Sequence, residues 1–421
     1  MDIINIEGGK KLQGTVAISG AKNAALPILA ATLLGNGKST IHHVPDLRDV
    51  KSMLSILDVL GAKTTSTNGT VEVDASGELF TKAPYELVST MRASFCVLGP
   101  LLARCGKAEV SIPGGCVIGA RPIDLHLKGL EALGAQIKIK HGYISAKAKE
   151  LRGADIFLGG AFGSSVLATA NVMMAATLAK GITRIENAAC EPEVVDLALF
   201  LKAMGAKISG EGSHLIEIEG VKELKAVKYT VIPDRIETGT FMLAAAMTHS
   251  DIEITNVVPS HSGALIDKMR ACGVSIETEG DKMRVKMTRK KTESVTVTTL
   301  AYPGFPTDLQ AQMMAFMTIT PGISVITEKI YPDRFIHIAE LNRMGARIFL
   351  EGASAIVNGV PKLSGAPVMA SDLRASAALV LAGLVADGVT EVSRVYHIDR
   401  GYERLEEKFS NLGAKIWRES R

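Results

Sequence analysis

Two hydrophobic patterns alternate along the chain and predict a repeated unit. In the first pattern, apolar residues such as Val50, Met53 and Leu57 fall on one face of a helix. A glycine-centred tripeptide ends this pattern and returns roughly every 70 residues, at Gly61, Gly134, Gly205, Gly273, Gly345 and Gly413. The alternating apolar and polar residues that follow, as in residues 135–140, indicate a half-buried strand. Each glycine is therefore predicted to be the C′ residue of a helix that leads into a strand.

Each repeat also contains a helix of a second kind. These segments are rich in alanine and apolar on nearly every side, which is typical of buried helices. They cover residues 23–34, 90–103, 164–179, 237–247, 308–318 and 372–386. The pattern predicts an α/β fold in which buried helices are wrapped by sheets and amphipathic helices. Six copies in one chain predict two domains of three units each.

Composition and charge narrow the function classes. The chain has 421 residues, 47% of them hydrophobic, and this length favours two or three domains. A net charge of +3 with interspersed acids and bases, and only 5% aromatic residues, argues against nucleic-acid binding. No apolar run reaches the roughly 20 residues of a membrane span, and the first nine residues do not resemble a secretory signal. The sequence therefore predicts a cytoplasmic globular protein.

The cysteines do not form a recognisable metal or disulfide pattern. Their number is odd, and no two of them form a CxxC pair. They are Cys96, Cys105, Cys116, Cys190 and Cys272. This pattern indicates reduced thiols and suggests no zinc site.

Cations stand at the predicted starts of four buried helices. They are Lys22, Arg92, Arg235 and Arg374. Polar residues beside them, such as Ser19 and Asp372, are typical helix caps. A cation in the first turn opposes the helix dipole, however, and a bound anion would remove that conflict. The helix starts therefore indicate a site for an anionic small molecule.

A glycine-rich segment at residues 113–126 carries the most distinctive chemistry. Cys116 lies in it, five residues before Arg121. A nearby guanidinium favours the thiolate and can also bind a phosphate or carboxylate. The alternative is a surface loop whose cysteine only packs. The glycines and Arg121 favour chemistry on an anion, with a loop able to close over a ligand.

Taken together, these segments resemble the enolpyruvyl transferases over essentially the whole chain. The matching motifs are SGAKN (19–23), TMRAS (90–94), residues 113–126, NAA (187–189), PDRIETGT (233–240), FPTD (305–308), SDLRAS (371–376) and YHIDRGYER (396–404). The resemblance implies two inside-out α/β barrel domains with the active site in the cleft between them. It implies that residues 1–21 and 233–421 form one domain and residues 22–232 the other.

The resemblance also implies a reaction. The enolpyruvyl group of phosphoenolpyruvate would move to the 3′-hydroxyl of UDP-N-acetylglucosamine, with release of phosphate, by addition and then elimination. This is the first committed step of peptidoglycan synthesis. No cofactor, metal, nucleic acid, membrane or obligatory protein partner is implied. Asp308 matches the base of the family and Cys116 the general acid, which also forms a covalent adduct. A helix cap is the other interpretation of Asp308, and the two roles are compatible.

Other roles are implied residue by residue. The catalytic residues would be Cys116, Asp308, Lys22 and Arg400. Phosphoenolpyruvate would be bound by Lys22, Asn23, Arg121 and Arg400. UDP-N-acetylglucosamine would be bound by Arg92, Arg121, Pro122, Ile123, Asp124, Leu125, Ser164, Ser165, Val166, Asp308 and Ile330. Asp372 and Arg374 would support the site.

Three other interpretations fit part of the sequence. Enolpyruvylshikimate phosphate synthase shares the fold and the chemistry but lacks the cysteine loop. RNA terminal phosphate cyclase is a relative by fold, but it acts on nucleic acid, for which the sequence lacks basic stripes and stacking aromatics. A non-catalytic paralogue that only binds the sugar nucleotide would not need Lys22, Cys116, Asp308 and Arg400 together.

Overall fold

The computed structural model describes residues 2–113, 123–161, 163–287 and 292–420, in which helices and strands alternate. The α-helices are α1 (Lys22–Ala31), α2 (Arg48–Val59), α3 (Tyr85–Val88), α4 (Leu98–Cys105), α5 (Asp124–Ala132), α6 (Val166–Ala176), α7 (Pro192–Ala203), α8 (Arg235–Met247), α9 (Gly263–Ala271), α10 (Gln310–Thr318), α11 (His337–Arg343), α12 (Leu373–Val385) and α13 (Leu405–Asn411). Short 3₁₀ helices cover Thr32–Leu34, Arg92–Val97, Pro259–Ser262, Thr307–Leu309 and Val395–Arg400.

The strands are short, and most of them bury one face. In chain order they are β1 (Asp2–Glu7), β2 (Gln13–Ala17), β3 (Gly35–Asn36), β4 (Lys38–His42), β5 (Lys63–Thr67), β6 (Thr70–Asp74), β7 (Lys82–Ala83), β8 (Lys107–Ser111), β9 (Gln136–Lys140), β10 (Tyr143–Lys147), β11 (Asp155–Phe157), β12 (Gly159–Gly160), β13 (Gly163–Ser164), β14 (Ile182–Glu186), β15 (Lys207–Ser209), β16 (Leu215–Glu219), β17 (Leu224–Lys225), β18 (Lys228–Thr230), β19 (Asp251–Thr255), β20 (Val274–Glu279), β21 (Lys282–Met287), β22 (Val297–Thr298), β23 (Ile323–Thr327), β24 (Arg347–Glu351), β25 (Ser354–Asn358), β26 (Pro367–Met369), β27 (Val389–Ser393) and β28 (Lys415–Ser420).

Within the described residues, six four-stranded sheets share one design. Their strand orders are β18-β4-β6-β5, β7-β8-β10-β9, β11-β14-β16-β15, β2-β19-β21-β20, β22-β23-β25-β24 and β26-β27-β1-β28. In each sheet the first two strands are parallel and the other neighbours are antiparallel. Parallel neighbours need a crossover connection, and a buried helix such as α6, α10 or α12 supplies it. The predicted six-fold repeat is confirmed.

The chain divides into two compact units with separate hydrophobic cores. The terminal unit contains the described residues of 2–19 and 233–420, and in it α8, α10 and α12 pack against one another. The middle unit contains the described residues of 20–232, and in it α1, α4 and α6 pack together. Each unit therefore has three buried helices and three of the sheets.

Three of these sheets contain strands that are far apart in sequence. In the terminal unit, β2 pairs with β19, and β1 lies between β27 and β28. In the middle unit, β18 pairs with β4. The chain passes from one unit to the other between residues 19 and 20 and again between residues 232 and 233.

The repeated glycines have the backbone conformation that the pattern predicts. Their φ angles lie between 91° and 108° at Gly61, Gly134, Gly205, Gly273, Gly345 and Gly413. In this left-handed region a side chain would be strained, so glycine ends each amphipathic helix. A strand begins within a few residues of each glycine.

One predicted buried helix differs from the structure. Residues 90–103 were expected to form a continuous helix, but a 3₁₀ helix covers Arg92–Val97 and α4 begins only at Leu98. Pro100 explains the break, because proline has no N–H to donate to a preceding carbonyl and is tolerated only in the first turn of an α-helix. The other five segments contain α-helices near the predicted positions, and the segments at 23–34 and 308–318 each include one 3₁₀ turn.

A buried carboxylate in the middle unit makes the stability of the protein depend on pH. Asp196 lies on α7, where the Tyr229 hydroxyl donates to Oδ1 at 2.6 Å and the Ile232 N–H to Oδ2 at 3.3 Å. Burial raises the pKa of Asp196 to about 6 from 3.8. The folded state therefore binds this proton more tightly, so ionisation of Asp196 lowers stability as the pH rises through that range.

Asp196→Asn removes the charge but keeps an acceptor for Tyr229. From the raised pKa we expect the variant to gain about 2 kcal/mol of stability relative to wild type between pH 4 and pH 7. Urea unfolding at both pH values measures the difference, with the exposed Asp155→Asn as the control. An effect of Asp196→Asn that is equal at the two pH values would contradict this account.

Candidate functional site

In the terminal unit, Asp308 lies between two buried arginines. It sits in the 3₁₀ turn Thr307–Leu309, which leads into α10. Arg334 Nη1 donates to Asp308 Oδ1 at 2.9 Å, and Arg374 Nη2 donates to Oδ2 at 2.9 Å. The side chains of Arg334 and Arg374 are 6% and 2% exposed, whereas that of Asp308 is 25% exposed. Of the three groups, the carboxylate is the most accessible from solvent.

The two guanidinium groups keep Asp308 ionised. Burial alone would raise the pKa of this carboxyl, but Arg374 and Arg334 outweigh burial and hold the pKa well below 3.8. Neither the 3₁₀ turn nor α10 has a side-chain cap, so the alternative interpretation of Asp308 as a helix cap is wrong. Asp308 is instead an ionised carboxylate that accepts hydrogen bonds from two guanidinium groups.

A chain of hydrogen bonds extends from this trio into the bundle of buried helices. Gln312 Nε2 donates to the Asp308 carbonyl at 3.0 Å and to the Tyr402 hydroxyl at 3.1 Å. The Thr240 hydroxyl donates to the Ile236 carbonyl, so the Tyr402 hydroxyl, 2.9 Å away, donates to Thr240. The Arg374 guanidinium lies 5.4 Å from the centre of the Tyr402 ring. Tyr402 therefore supports both Asp308, through Gln312, and Arg374.

A second buried carboxylate fixes the loop that carries Ile330 and Arg334. Glu328 accepts hydrogen bonds from the Thr299 hydroxyl at 2.6 Å, the Thr307 hydroxyl at 2.9 Å and the Ile330 N–H at 2.8 Å. Arg334 Nη1 also donates to Thr307 at 3.0 Å. The structure thus brings Ile330 into the same network as Asp308 and Arg374.

The remaining predicted residues of the terminal unit lie near this network. Asp372 caps α12 by accepting from the N–H groups of Arg374 at 2.9 Å and Ala375 at 3.1 Å. Its charge also acts on buried His337, whose pKa burial lowers to about 4. Arg400 ends the 3₁₀ helix Val395–Arg400 and is half-buried. The two hydrogen bonds from the backbone hold the Asp372 carboxylate at the start of α12.

In the middle unit, Lys22 is held by a buried carboxylate. Lys22 begins α1, and its Nζ lies 3.0 Å from Oδ2 of Asp49 in the first turn of α2. The two side chains are 10% and 5% exposed. Asn23, the next residue, is half-buried. The ion pair fixes the Lys22 ammonium at the start of a buried helix.

Arg92 lies near a buried network of hydrogen bonds centred on Asn171. Asn171 Oδ1 accepts from the Gly99 N–H at 2.7 Å, so its Nδ2 is the group that donates to Nδ1 of His126 at 3.1 Å. His126 therefore accepts and is neutral, and burial, followed by the charge of Arg92, lowers its pKa to about 3. A side chain at Gly99 would lie 2.3 Å from the Asn171 carbonyl, so glycine is required where α4 meets α6.

The acceptor-binding residues predicted in the middle unit surround the start of two helices. Asp124 begins α5 and is exposed, with half-buried Ile123 and Leu125 on either side. Ser165 caps α6, where its hydroxyl accepts from the Ala168 N–H at 3.3 Å. The half-buried residues Ser164 and Val166 flank this cap, and a side chain at Gly160 on the adjoining strand β12 would meet Leu125 at 3.2 Å. Cys116, Arg121 and Pro122 lie outside the described residues.

Comparison with known proteins identifies the family. The family model described as EPSP synthase (3-phosphoshikimate 1-carboxyvinyltransferase) matches residues 6–409. The chain belongs to this family of enolpyruvyl transferases. Among its relatives, the UDP-N-acetylglucosamine 1-carboxyvinyltransferase of Desulfosudis oleivorans is 59% identical over 99% of both chains. The protein of that name from Myxococcus xanthus is 54% identical over 100% of both chains.

Solved enolpyruvyl transferases share the fold. The enolpyruvyl transferase NikO from Streptomyces tendae superposes with a TM-score of 0.89 at 24% identity, covering 100% of this chain and 99% of that one. EPSP synthase from Acinetobacter baumannii gives 0.79 at 18% identity over 100% of both chains. The predicted fold class and the prediction of an enzyme are confirmed.

In residues 2–113, 123–161, 163–287 and 292–420, no group of three or more His, Cys, Asp or Glu side chains is placed to hold a metal ion. Within the same ranges, no helix is both long and apolar enough to cross a membrane.

Sequence reasoning missed several residues that, within each unit, hold the predicted site residues in place. They are Asp49, Asn171, Gln312, Glu328, Arg334 and Tyr402. A weak signal existed for Asp49, because a buried carboxylate was needed to balance Lys22 in an apolar helix bundle. For Arg334 there was no signal, because the segment YPDRF resembles an ordinary polar loop.

Tyr402→Phe tests the hydrogen-bond chain of this enzyme. Losing the hydroxyl leaves a buried N–H of Gln312 unpaired, which we expect to cost about 1–2 kcal/mol of stability. The ring beside Arg374 remains, so we expect kcat to fall only a few-fold. Chemical unfolding and steady-state kinetics measure both effects, and Tyr396→Phe, at a more exposed tyrosine, is the control. If Tyr402→Phe and Tyr396→Phe give equal stability, the hydroxyl has no such role.

Proposed function

We propose that this enzyme transfers the enolpyruvyl group of phosphoenolpyruvate to the 3′-hydroxyl of UDP-N-acetylglucosamine and releases phosphate, at the first committed step of peptidoglycan synthesis. The names of relatives that are 54–59% identical over nearly the full chain support the choice of acceptor. The ionised Asp308 between Arg334 and Arg374 is the structural observation that carries the chemistry. The enzyme would work in the cytoplasm on two small molecules without a protein partner.

In this proposal Asp308 is the base. A carboxylate with so low a pKa cannot remove a proton from a free sugar hydroxyl, which is far less acidic. It can accept that proton while the C–O bond to phosphoenolpyruvate forms, because the hydroxyl becomes acidic as its oxygen gives up electrons. Protonated Asp308 would leave two guanidinium groups uncompensated. The proton therefore departs readily, and the phosphate that leaves in the elimination step can take it up.

The cations would hold the anionic ends of phosphoenolpyruvate and of the addition intermediate. We assign this role to Lys22, Arg121 and Arg400, with Asn23 as a hydrogen-bonding partner. Arg374 and Asp372 would support Asp308. Cys116 would donate the proton to the methylene carbon of the enol. For Cys116 and Arg121 the proposal rests on the sequence alone, because both lie outside the described residues.

The sugar nucleotide would be bound by residues around two helix starts and by the Asp308 loop. In the middle unit these are Arg92, Arg121, Pro122, Ile123, Asp124, Leu125, Ser164, Ser165 and Val166. In the terminal unit they are Asp308 and Ile330. The N-terminal N–H groups of α5 and α6 are suited to diphosphate oxygens.

Acceptor-dependent release of phosphate tests the function. Purified enzyme with phosphoenolpyruvate is expected to release phosphate when UDP-N-acetylglucosamine is added and not without it. Shikimate 3-phosphate is the control acceptor, because the family model also describes the enzyme that uses it. Release with shikimate 3-phosphate but not with UDP-N-acetylglucosamine would overturn the proposal.

Fosfomycin, an epoxide that resembles phosphoenolpyruvate, is expected to alkylate Cys116 alone and abolish activity. Burial raises the pKa of Cys96 and of Cys272 to about 12, and it also raises the pKa values of Cys105 and Cys190, so these four thiols hold little reactive thiolate. Peptide mass spectrometry locates the adduct. Cys116→Asp keeps an acidic group and is expected to remain active without being alkylated. An adduct on another cysteine would refute the assignment.

A further inference from the structure

One sheet of the terminal unit, β22-β23-β25-β24, has an apolar outer face. In β23 and β25, buried residues alternate with more accessible ones, which form this face. Its middle residues are Val325 on β23, Ile356 on β25 and Phe349 on β24, and neighbours among them are directly opposite one another. Phe349 is 61% exposed, and Ile323, on the same face of β23, is 64% exposed. Val325, Ile356 and Phe349 therefore form an apolar row across three strands.

The other four-stranded sheets provide an internal comparison, because they share the same design. In β2-β19-β21-β20, the residues that correspond to the apolar row are Glu253, Arg284 and Glu277. Among the described residues, no other four-stranded sheet has more than one apolar residue at these three positions. The repeat itself therefore does not require apolar residues there, and a contiguous apolar patch on one sheet indicates an interaction surface.

The edge of this sheet is already occupied where a further strand would pair. β24 is the edge strand, and Asn342 on α11 lies beside it. The Asn342 side chain accepts from the Ile348 N–H at 3.0 Å and donates to the Ile348 carbonyl at 3.0 Å. These contacts protect the middle of the edge from strand addition. A partner would therefore contact the face of the sheet and not its edge.

Two opposite charges flank the apolar row on β24. Arg347 and Glu351 are exposed and lie two residues before and after Phe349, on the same face. A two-fold axis along the row would place a second copy so that each apolar residue meets its own counterpart. The same axis would bring Arg347 of each copy opposite Glu351 of the other. On β25 it would bring Ser354 opposite Asn358. The face is therefore complementary to itself in both shape class and charge.

We propose that two copies of this chain associate through this face as a weak, symmetric dimer. The apolar row would form the centre of the interface, and two pairs of Arg347 with Glu351 would fix its register. The face extends about 17 Å along the strands and about 15 Å across them, which is small beside the roughly 800 Å² per partner of a stable interface. We therefore expect a dissociation constant on the order of 100 µM. This association does not depend on the proposed function.

Sedimentation velocity of the full chain tests the dimer. Between about 5 and 500 µM, we expect the weight-average sedimentation coefficient to rise from that of one chain towards that of two. Phe349→Ser should weaken association by about tenfold or more, because it removes the central aromatic side chain. Phe80→Ser is the matched control, because Phe80 is also 61% exposed but belongs to the middle unit. A chain that stays monomeric over the whole range would overturn the proposal, as would equal association of Phe349→Ser and wild type.

A charge exchange tests the two-fold arrangement. Arg347→Glu would place carboxylates opposite each other at both ends of the row, and Glu351→Arg would place guanidinium groups there. Each single variant should therefore weaken association by about tenfold. The double variant Arg347→Glu/Glu351→Arg restores opposite charges and should associate like wild type. Thermal unfolding checks that each variant is folded. Single variants that associate like wild type, or a double variant that associates no better than the single ones, would contradict this arrangement.

Discussion

Asp308→Asn is expected to lower kcat/KM by about 10²–10⁴-fold, the usual contribution of a general base. The same change should destabilise the fold by about 3 kcal/mol, because Arg334 and Arg374 would lose the charge that compensates theirs in a buried site. Acceptor-dependent phosphate release measures the first effect. Chemical unfolding measures the second, and the assay temperature must lie well below the midpoint of the variant.

Asp333→Asn is the matched control for Asp308→Asn. Asp333 is exposed and precedes Arg334 in the same loop. Its replacement should change neither stability nor kcat/KM. The depressed pKa of Asp308 adds a second criterion: ionisation of Asp308 should not shape the kcat/KM profile of wild type between pH 5 and 9. A folded Asp308→Asn enzyme with kcat/KM close to that of wild type would show that Asp308 is not the base.

The second large effect is expected at Lys22. Lys22→Met should lower kcat/KM by about 10²-fold or more, because the ammonium would stabilise the charge of the reacting anion. It should also cost about 3–5 kcal/mol of stability, because buried Asp49 loses its lysine partner. Lys51→Met, an exposed lysine on α2, should change neither quantity.

A double substitution separates the two effects of Lys22→Met. Adding Asp49→Asn removes the uncompensated carboxylate, so Lys22→Met/Asp49→Asn should regain most of the lost stability. Its kcat/KM should stay low if Lys22 contacts the substrate. Recovery of kcat/KM together with stability would show that Lys22 acts only as the structural partner of Asp49.

The repeat and the burial of its helices could be predicted because both depend on patterns of residues that are close together in the sequence. A glycine after an amphipathic helix needs a left-handed backbone, and all six such glycines adopt it. The helix at residues 90–103 was predicted wrongly because its alanine-rich, apolar character outweighed Pro100. Pro100 has no N–H to donate and fits only in the first turn of a helix, so the α-helix starts at Leu98.

The site could be predicted only in part. Asp308 and Arg374 stand at the starts of buried helices, where a charged residue is conspicuous. Their partner Arg334 lies 26 residues from Asp308 in an ordinary loop, and Asp49 lies 27 residues from Lys22. Such pairings depend on how the repeats pack, which no local pattern records. The low pKa of Asp308 likewise comes from two guanidinium groups that meet only after folding.

The position of β1 between β27 and β28 determines when this sheet can form during translation. β1 is translated before its two neighbours β27 and β28, which emerge roughly 390 to 410 residues later. At about 5–20 residues per second this delay lasts about 20–80 s. The middle unit can close during that time, while the apolar residues Ile3, Ile4 and Ile6 stay without their sheet. We therefore expect the nascent chain to need protection from aggregation at β1 until β27 and β28 have emerged.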